Sequence, residues 1–335
     1  MEKKVLLIGG TGAMGTYLTP ELLRKGYRVD VISVDHVSSD NPMLRYFTGD
    51  AMDDQYLKEI LKNQYDGIVD FMIYKTERFK ERHPLLLQNT DHYIYLSSYR
   101  VYCGQTPITE STPRMLDVSD NPIYLATDDY SLLKARGENI LKASPYKNWT
   151  AVRPSCVYSK RRFQLCTLEA NVIIPRARQH KPVILPQEAR SVQATMTWSG
   201  DIARMFSGLL FNPQAMCESY TFSTSEHHTW ETVASYYHDI IGLDTIWVPR
   251  ESYLKLIVGS DRPNTGAHWQ LDYDRLFNRV IDNRKILEHA GLRQEDFMPL
   301  KEGLQRELSN LPEKVTWPND NNVGERMDQY LKENF

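Results

Sequence analysis

Along the first forty residues the spacing of apolar positions changes twice. Val5–Ile8 is an unbroken apolar run, the pattern of a strand covered on both faces. From Ala13 to Lys25, AMGTYLTPELLRK sets Met14, Leu18, Leu22 and Leu23 on one side of a helix. Pro20 falls inside it and predicts a kink. Gly26 stops the helix, and residues 28–34 return to a strand pattern. The unit reads as strand, turn, helix, strand, with a right-handed crossover if the strands are parallel.

The same alternation continues. Residues 55–62 predict a helix, 67–73 a strand, 76–88 a helix and 92–96 a strand. A strong helical pattern over 126–142 is followed by a strand at 149–152. Strands and helices alternating through short loops predict an α/β fold, a doubly wound parallel sheet. After residue 160 the texture changes to Arg161, Arg162, a helix near 168–179 and the Pro-flanked KPVILP. Residues 195–211 return to strand–helix, and 220–223 predict another strand. The remainder is helix-rich and aromatic, including WETVASYYHDIIG and a helix around 300–308. Residues 1–160 are therefore expected to form the dinucleotide-type domain, with 195–224 returning to it. Residues 161–194 and 225–335 form a smaller, mostly helical substrate lobe.

Composition narrows the function. Of 335 residues, 41% are apolar and 25% charged, as in ordinary globular chains. A net charge of −3 gives no electrostatic reason to expect a nucleic-acid partner. No apolar run approaches the roughly 18 residues of a membrane span, so no membrane partner is expected. Cys103, Cys156, Cys166 and Cys217 are scattered without a C-x-x-C pair, which fits free thiols in a reducing cytoplasm. His227 and His228 are adjacent and would point to opposite faces of a strand, so no metal site is expected.

Candidate chemistry lies at three places. The first is GGTGAMG, with Gly9, Gly12 and Gly15 between the first strand and helix. Gly9 permits the tight turn, Gly12 lets backbone approach a pyrophosphate, and Gly15 lets the helix pack closely on the strand. Thr11, Ala13 and Met14 are the intervening cofactor-facing positions, and the helix N-terminus adds free N–H groups. At the end of the second strand Ser33 and Asp35 are the candidates for the ribose. No Arg or Lys follows closely to hold a 2′-phosphate, which leans towards NAD and leaves NADP open.

The second is YLSSYRVYCG, with Ser97 and Ser98 at the carboxyl end of a strand, where open parallel sheets bind ligands. The third is DDYSLLKARGENIL, where Tyr130 and Lys134 share a helix face. Free tyrosine, with a pKa of about 10, is a poor base at neutral pH. A nearby ammonium favours the phenolate, and a serine hydroxyl can bond the same substrate oxygen.

In that order these motifs resemble the extended short-chain dehydrogenase/reductase superfamily, in its NAD-dependent epimerase/dehydratase branch. The resemblance rests also on TGDAMD, AVRPSCVY and SGDIA and spans most of the chain. It implies a Rossmann sheet and NAD. By the family pattern Tyr130 would be the base, Ser98 the catalytic hydroxyl, and Lys134 the holder of the nicotinamide ribose. Asp50 and Ala51 match adenine-contacting positions. Phe71, Met72 and Lys75 match the loop along the cofactor, with Ser97 beside Ser98 and Pro154 and Val157 near the nicotinamide. The implied partner is a small-molecule substrate, a nucleotide sugar, and family habit implies a homodimer.

This chain departs from the pattern at several positions. The stretch 74–91 is short, Ser33 stands where an acid is usual, and Ala194 stands where a diphosphate-gripping arginine is usual, with Arg190 nearby. These features resemble a subgroup that includes chloroplast RNA-binding relatives lacking the Tyr/Lys pair, which this chain has. Thr127, Asp128 and Asp129 lie too close to Tyr130 to act as a separate acid, which favours epimerase or simple oxidoreductase over dehydratase. The alternatives are a reductase or dehydrogenase of a small carbonyl compound and a non-catalytic dinucleotide- or RNA-binding scaffold. Arg161, Arg162, Arg176 and Arg178 read either as a face toward an anionic substrate or as solvated surface.

Overall fold

Lys4–Ile8 forms β1, an interior strand of a parallel sheet, and alternate residues of it serve opposite layers. In the computed structural model, which describes residues 3–311 and 317–334, Val5 and Leu7 pack with Leu18 and Leu22 of α1 (Gly15–Arg24). Leu6 and Ile8 face the other way, toward α2 (Asp54–Leu61) and α3 (Thr76–Leu87). A strand buried on both faces needs the unbroken apolar run seen at 5–8.

Beside β1 lie β2 (Arg28–Ser33) and β4 (Tyr65–Asp70), both parallel to it. Beyond β4 come β5 (Thr90–Leu96), β6 (Trp149–Pro154) and the strand Glu218–Phe222; beyond β2 comes β3 (Leu44–Thr48). The seven-stranded order places the topological switch between β1 and β4, where ligands of open α/β sheets bind.

The strand at 44–48 corrects the sequence reading, which passes over it, so TGDAMD follows the third strand. As an edge strand β3 is half-exposed, and its mixed polarity carries no continuous apolar signal. The strand predicted at 67–73 begins earlier and stops at Asp70, whose carboxylate accepts the Met72 N–H and turns the chain. Two single-turn helices, α4 (Met115–Val118) and α5 (Pro122–Leu125), precede α6 (Tyr130–Ala143). The predicted start at 126 moves to Tyr130 because Asp129 caps the helix, accepting from Ser131 N at 3.1 Å.

The remaining residues build a second core from 156–194 and the C-terminal third, with Trp230, Tyr237 and Tyr253 buried inside it. KPVILP supplies a strand, Val183–Pro186, paired with Thr245–Val248. Glu307 of the helix Leu300–Ser309 accepts from Tyr17 of α1 at 2.6 Å and Trp198 at 2.7 Å. These bonds fix the second core against the carboxyl edge of the sheet.

Candidate active site

The turn after β1 is shaped by what its glycines lack. Gly9 holds φ +76°, a conformation L side chains rarely adopt. A Cβ on Gly15 would lie 2.2 Å from the Gly10 carbonyl oxygen, so Gly15 packs on the turn itself. The expected contact of Gly15 with the strand is thus corrected: it is Gly10 that lies against the strands, where an added Cβ would come within 2.8 Å of the Leu7 and Val31 side chains. At Gly12 an added Cβ would meet nothing nearer than the Gly9 carbonyl oxygen at 3.6 Å, so there is room beside it. The N–H groups of Ala13 and Met14 find no backbone acceptor among the described residues, and α1 starts without a side-chain cap. Open space with free amides at a helix N-terminus is a cradle for phosphate.

Next to this turn, Thr11 Oγ1 and Ser33 Oγ are 2.6 Å apart, and Ser33 Oγ accepts from Asp35 N at 3.0 Å. Arg161 reaches across from the second core, donating to Thr11 O at 2.8 Å and lying 3.6 Å from Asp35. No Arg or Lys follows closely along the chain, but the fold brings a cation to this edge from 126 residues beyond Asp35. Gly49 N bonds Ser33 O, bringing Asp50 and Ala51 alongside. The Ala51 carbonyl is held by buried Arg82, and Asp50 accepts from Met52 N at 2.8 Å. After β4, Met72 Sδ and the Phe71 side chain border Gly9, while Lys75 is exposed at the start of α3.

One cleft of about 310 Å³ gathers Met14, Ser97, Ser98, Tyr130, Pro154 and Val157 at the carboxyl ends of β5 and β6. Ser98 Oγ accepts from Arg100 N at 3.2 Å, and it lines the same cleft as Tyr130, whose pKa it lowers. Ser97 faces below, donating to buried Glu138 at 2.6 Å. Although burial pushes the Glu138 carboxyl up, Arg153, Ser97 and Arg114 hold it below the usual carboxylate range. This buried cluster fixes the floor under Ser98.

Lys134 lies behind Tyr130, fully buried, with Nζ donating to Leu96 O at 2.5 Å and Met72 O at 3.3 Å. Burial lowers its pKa to about 8, against the pull of Asp70. Tyr130, half-buried, is pushed up by burial, and the cations that oppose the rise are Arg162 and Arg100. The Lys134 ammonium is 5.7 Å from the ring centroid and donates to carbonyls, and the Arg100 guanidinium stands 5.2 Å over the same ring, a second cation that the sequence reading passes over.

Arg100, Gln164, Glu169, Gln270 and Arg275 also line the cleft, and sequence reasoning passed over them. Arg100 was within reach, two residues past Ser98 in the same turn. Arg162 lines the cleft as well, resolving one of the four arginines read two ways. Arg176 is buried and paired with Asp328, and Arg190 pairs with Glu231 and stacks on Trp247, outside the cleft.

Residues 5–216 of this chain match the NAD dependent epimerase/dehydratase family. Among curated proteins it is similar to the chloroplast stem-loop binding protein of 41 kDa b of Arabidopsis thaliana, 24% identical over 251 residues. That match covers 70% of this chain and 62% of the plant protein, under two thirds of its length. Among solved structures it resembles an epimerase of Methanothermobacter thermautotrophicus, with TM-score 0.67, 18% identity and 92% of each chain covered. A dTDP-glucose 4,6-dehydratase of Bacillus anthracis in complex with NAD gives TM-score 0.67 at 16% identity, covering 92% of this chain and 96% of that one. At these identities the structural likeness concerns the fold.

Proposed function

The chain belongs to the NAD-dependent epimerase/dehydratase family, and on that premise we propose that it is a nucleotide-sugar epimerase that acts by transiently oxidising a carbinol carbon, with Tyr130 as the base. The observation that carries this reading is the place of Tyr130 beside Ser98 on the wall of one cleft at the sheet's carboxyl edge.

The residues present fit a dinucleotide. Gly12 leaves room beside the unpartnered Ala13 and Met14 amides for a pyrophosphate. Asp50 and Ala51 border the adenine side, Asp35 and Ser33 the adenosine ribose. Lys134, already donating to two carbonyls, would add the nicotinamide ribose to its acceptors. Bound NAD supplies the hydride acceptor.

Tyr130 takes the proton from the substrate hydroxyl, and Ser98 holds the same oxygen by its own hydrogen bond. Arg100 and Arg162 stabilise the phenolate that forms, by Coulombic attraction in a partly desolvated site. For inversion, the keto intermediate turns in the cleft and Tyr130 returns the proton as the carbon is reduced on its other face.

The second reading, a reductase of a small carbonyl compound, is favoured by the modest 310 Å³ cleft and by Arg190 facing away from it. The plant relative's name speaks of stem-loop binding; against an RNA-binding reading here stands the net charge of −3.

Mass spectrometry of the small molecules released on denaturing the purified protein, together with turnover of a nucleotide-sugar panel, tests the proposal. Retained NAD with interconversion at constant absorbance of the reduced cofactor supports the epimerase, and stoichiometric cofactor consumption supports the reductase. Tyr130→Phe is expected to lower kcat by about 10²–10⁴ with an unchanged melting temperature. A variant that turns over at the wild-type rate rules Tyr130 out as the base.

A further inference from the structure

We propose that the substrate carries a carboxylate close to the carbon whose hydroxyl faces Tyr130, and that Arg100 is the residue that recognises it. The proposal rests on the reading of Tyr130 above and adds a chemical class to it.

Arg100 sits in the turn after Ser98 with its side chain only 13% exposed, its guanidinium 5.2 Å over the Tyr130 ring and on the cleft wall. Its Nε has no hydrogen-bond partner among the described residues. The two carboxylates beside it are 3.5 Å (Asp274) and 3.7 Å (Asp129) away, ion pairs without hydrogen-bond geometry. Both are already engaged. Asp129 caps α6 through Ser131 N and Oγ, at 3.1 and 2.8 Å. Asp274, fully buried, receives Arg275 and, at 3.1 Å, Arg279.

Three guanidinium groups thus converge on buried Asp274, and with Asp129 beside Arg100 they number three cations against two carboxylates. Arg275 spends its other contacts on Tyr99 OH and Cys166 O, and Arg279 on the Tyr102, Cys103 and Tyr273 carbonyls. Arg100 is the member on the cleft wall whose guanidinium makes no hydrogen bond among the described residues, its Nε itself being buried toward Asp274. On the same wall Arg162 also has an unpartnered Nε and lies 3.5 Å from Glu169, which is itself bonded by Gln164. A mostly buried cation without full compensation is costly, and an entering anion removes that cost.

A guanidinium presents a planar fork that a carboxylate meets with two parallel bonds. The proximity of Arg100 to the Tyr130 ring places that carboxylate within a few bonds of the reacting carbon. The class of substrate is therefore a hydroxy acid or a uronate, free or as its nucleotide ester. Hydroxyl groups alone leave the extra charge of this wall unanswered.

The test is isothermal titration of the NAD-loaded protein with matched probes: UDP-glucuronic acid against UDP-glucose, glucuronate against glucose, and 3-hydroxybutyrate against butane-1,3-diol, with glucose 6-phosphate as the phosphate arm. At least one carboxylate is expected to bind about ten-fold or more tighter than its neutral twin. That preference is expected to vanish in Arg100→Met, to persist in part in Arg100→Lys, and to survive in Tyr130→Phe. Equal melting temperature and NAD content of the Arg100 variants show that they fold. The proposal is overturned if no carboxylate outbinds its twin, if the preference persists in Arg100→Met, or if the phosphate outbinds every carboxylate. Carboxylate preference that depends on Arg100 in a protein that turns nothing over would sink the Tyr130 reading and leave this one standing.

Discussion

Tyr130 and Lys134 are four residues apart, and the spacing makes them look like one device, yet their surroundings separate their roles. Lys134 is fully buried among carbonyls, with a pKa lowered to about 8 by burial. In the unfolded chain it returns to about 10.4. Between those values the unfolded chain binds the extra proton, so stability gained from Lys134 rises with pH across that window and is absent below it. Denaturant titrations of the cofactor-free protein at pH 7 to 10 are expected to show this rise in the wild type and lose it in Lys134→Met. The slope attributable to Lys134 is at most about 1.4 kcal/mol per pH unit. An identical slope in both proteins would assign the titration elsewhere. Ser98→Ala removes the hydroxyl that lowers the Tyr130 pKa and is expected to shift the ascending limb of kcat, set by deprotonation of the base, upward in pH.

At the scale of elements, the glycine turn and the Glu138 cluster make opposite demands. The Gly15 site has no room for a methyl group, because the Gly10 carbonyl would be 2.2 Å away, whereas Gly12 has none nearer than 3.6 Å. Gly15→Ala is expected to destabilise the protein by about 2 kcal/mol or more, since backbone must shift. Gly12→Ala is expected to keep the melting temperature and to weaken NAD binding, as its methyl points into the phosphate cradle. Thermal melts paired with NAD titration separate the two. Beneath Ser98, Glu138 bonds Arg153 at 2.7 Å, Arg114 at 3.0 Å and Ser97 at 2.6 Å with no exposure. Glu138→Gln leaves two buried guanidinium groups short of a counter-charge and is expected to cost about 3–5 kcal/mol at pH 7. Because this carboxyl is held below its ordinary value of about 4.3, its stabilisation is complete above that pH and is lost as the pH falls below it. The gap between wild type and variant closes in acid.

Across the whole molecule, the second core closes over the sheet edge through single residues that sequence proximity does not reveal. Arg161 bridges Thr11 and Asp35 from the far side of the cleft. Asp35 is the charge that compensates it, so Asp35→Asn frees a guanidinium beside the adenosine ribose position. The variant is expected to gain affinity for NADP relative to NAD by about ten-fold, read by titrating both cofactors. An unchanged ratio places Arg161 away from the 2′ position.

The sequence by itself determined the sheet, the turn after β1 and the order of Gly-rich turn, serine pair and Tyr130/Lys134, because these depend on local spacing. Apolar period and glycine conformation are properties of a few consecutive residues, and GGTGAMG or YSLLK carries them whole. Only the tertiary structure decided which charges meet. The edge strand at 44–48 had no strong local pattern. Arg161 reaches Asp35, and Arg100 meets Asp274, through contacts 126 and 174 residues apart along the chain. Coulombic energy depends on separation in space and on burial, and neither is written in the spacing of residues along the chain.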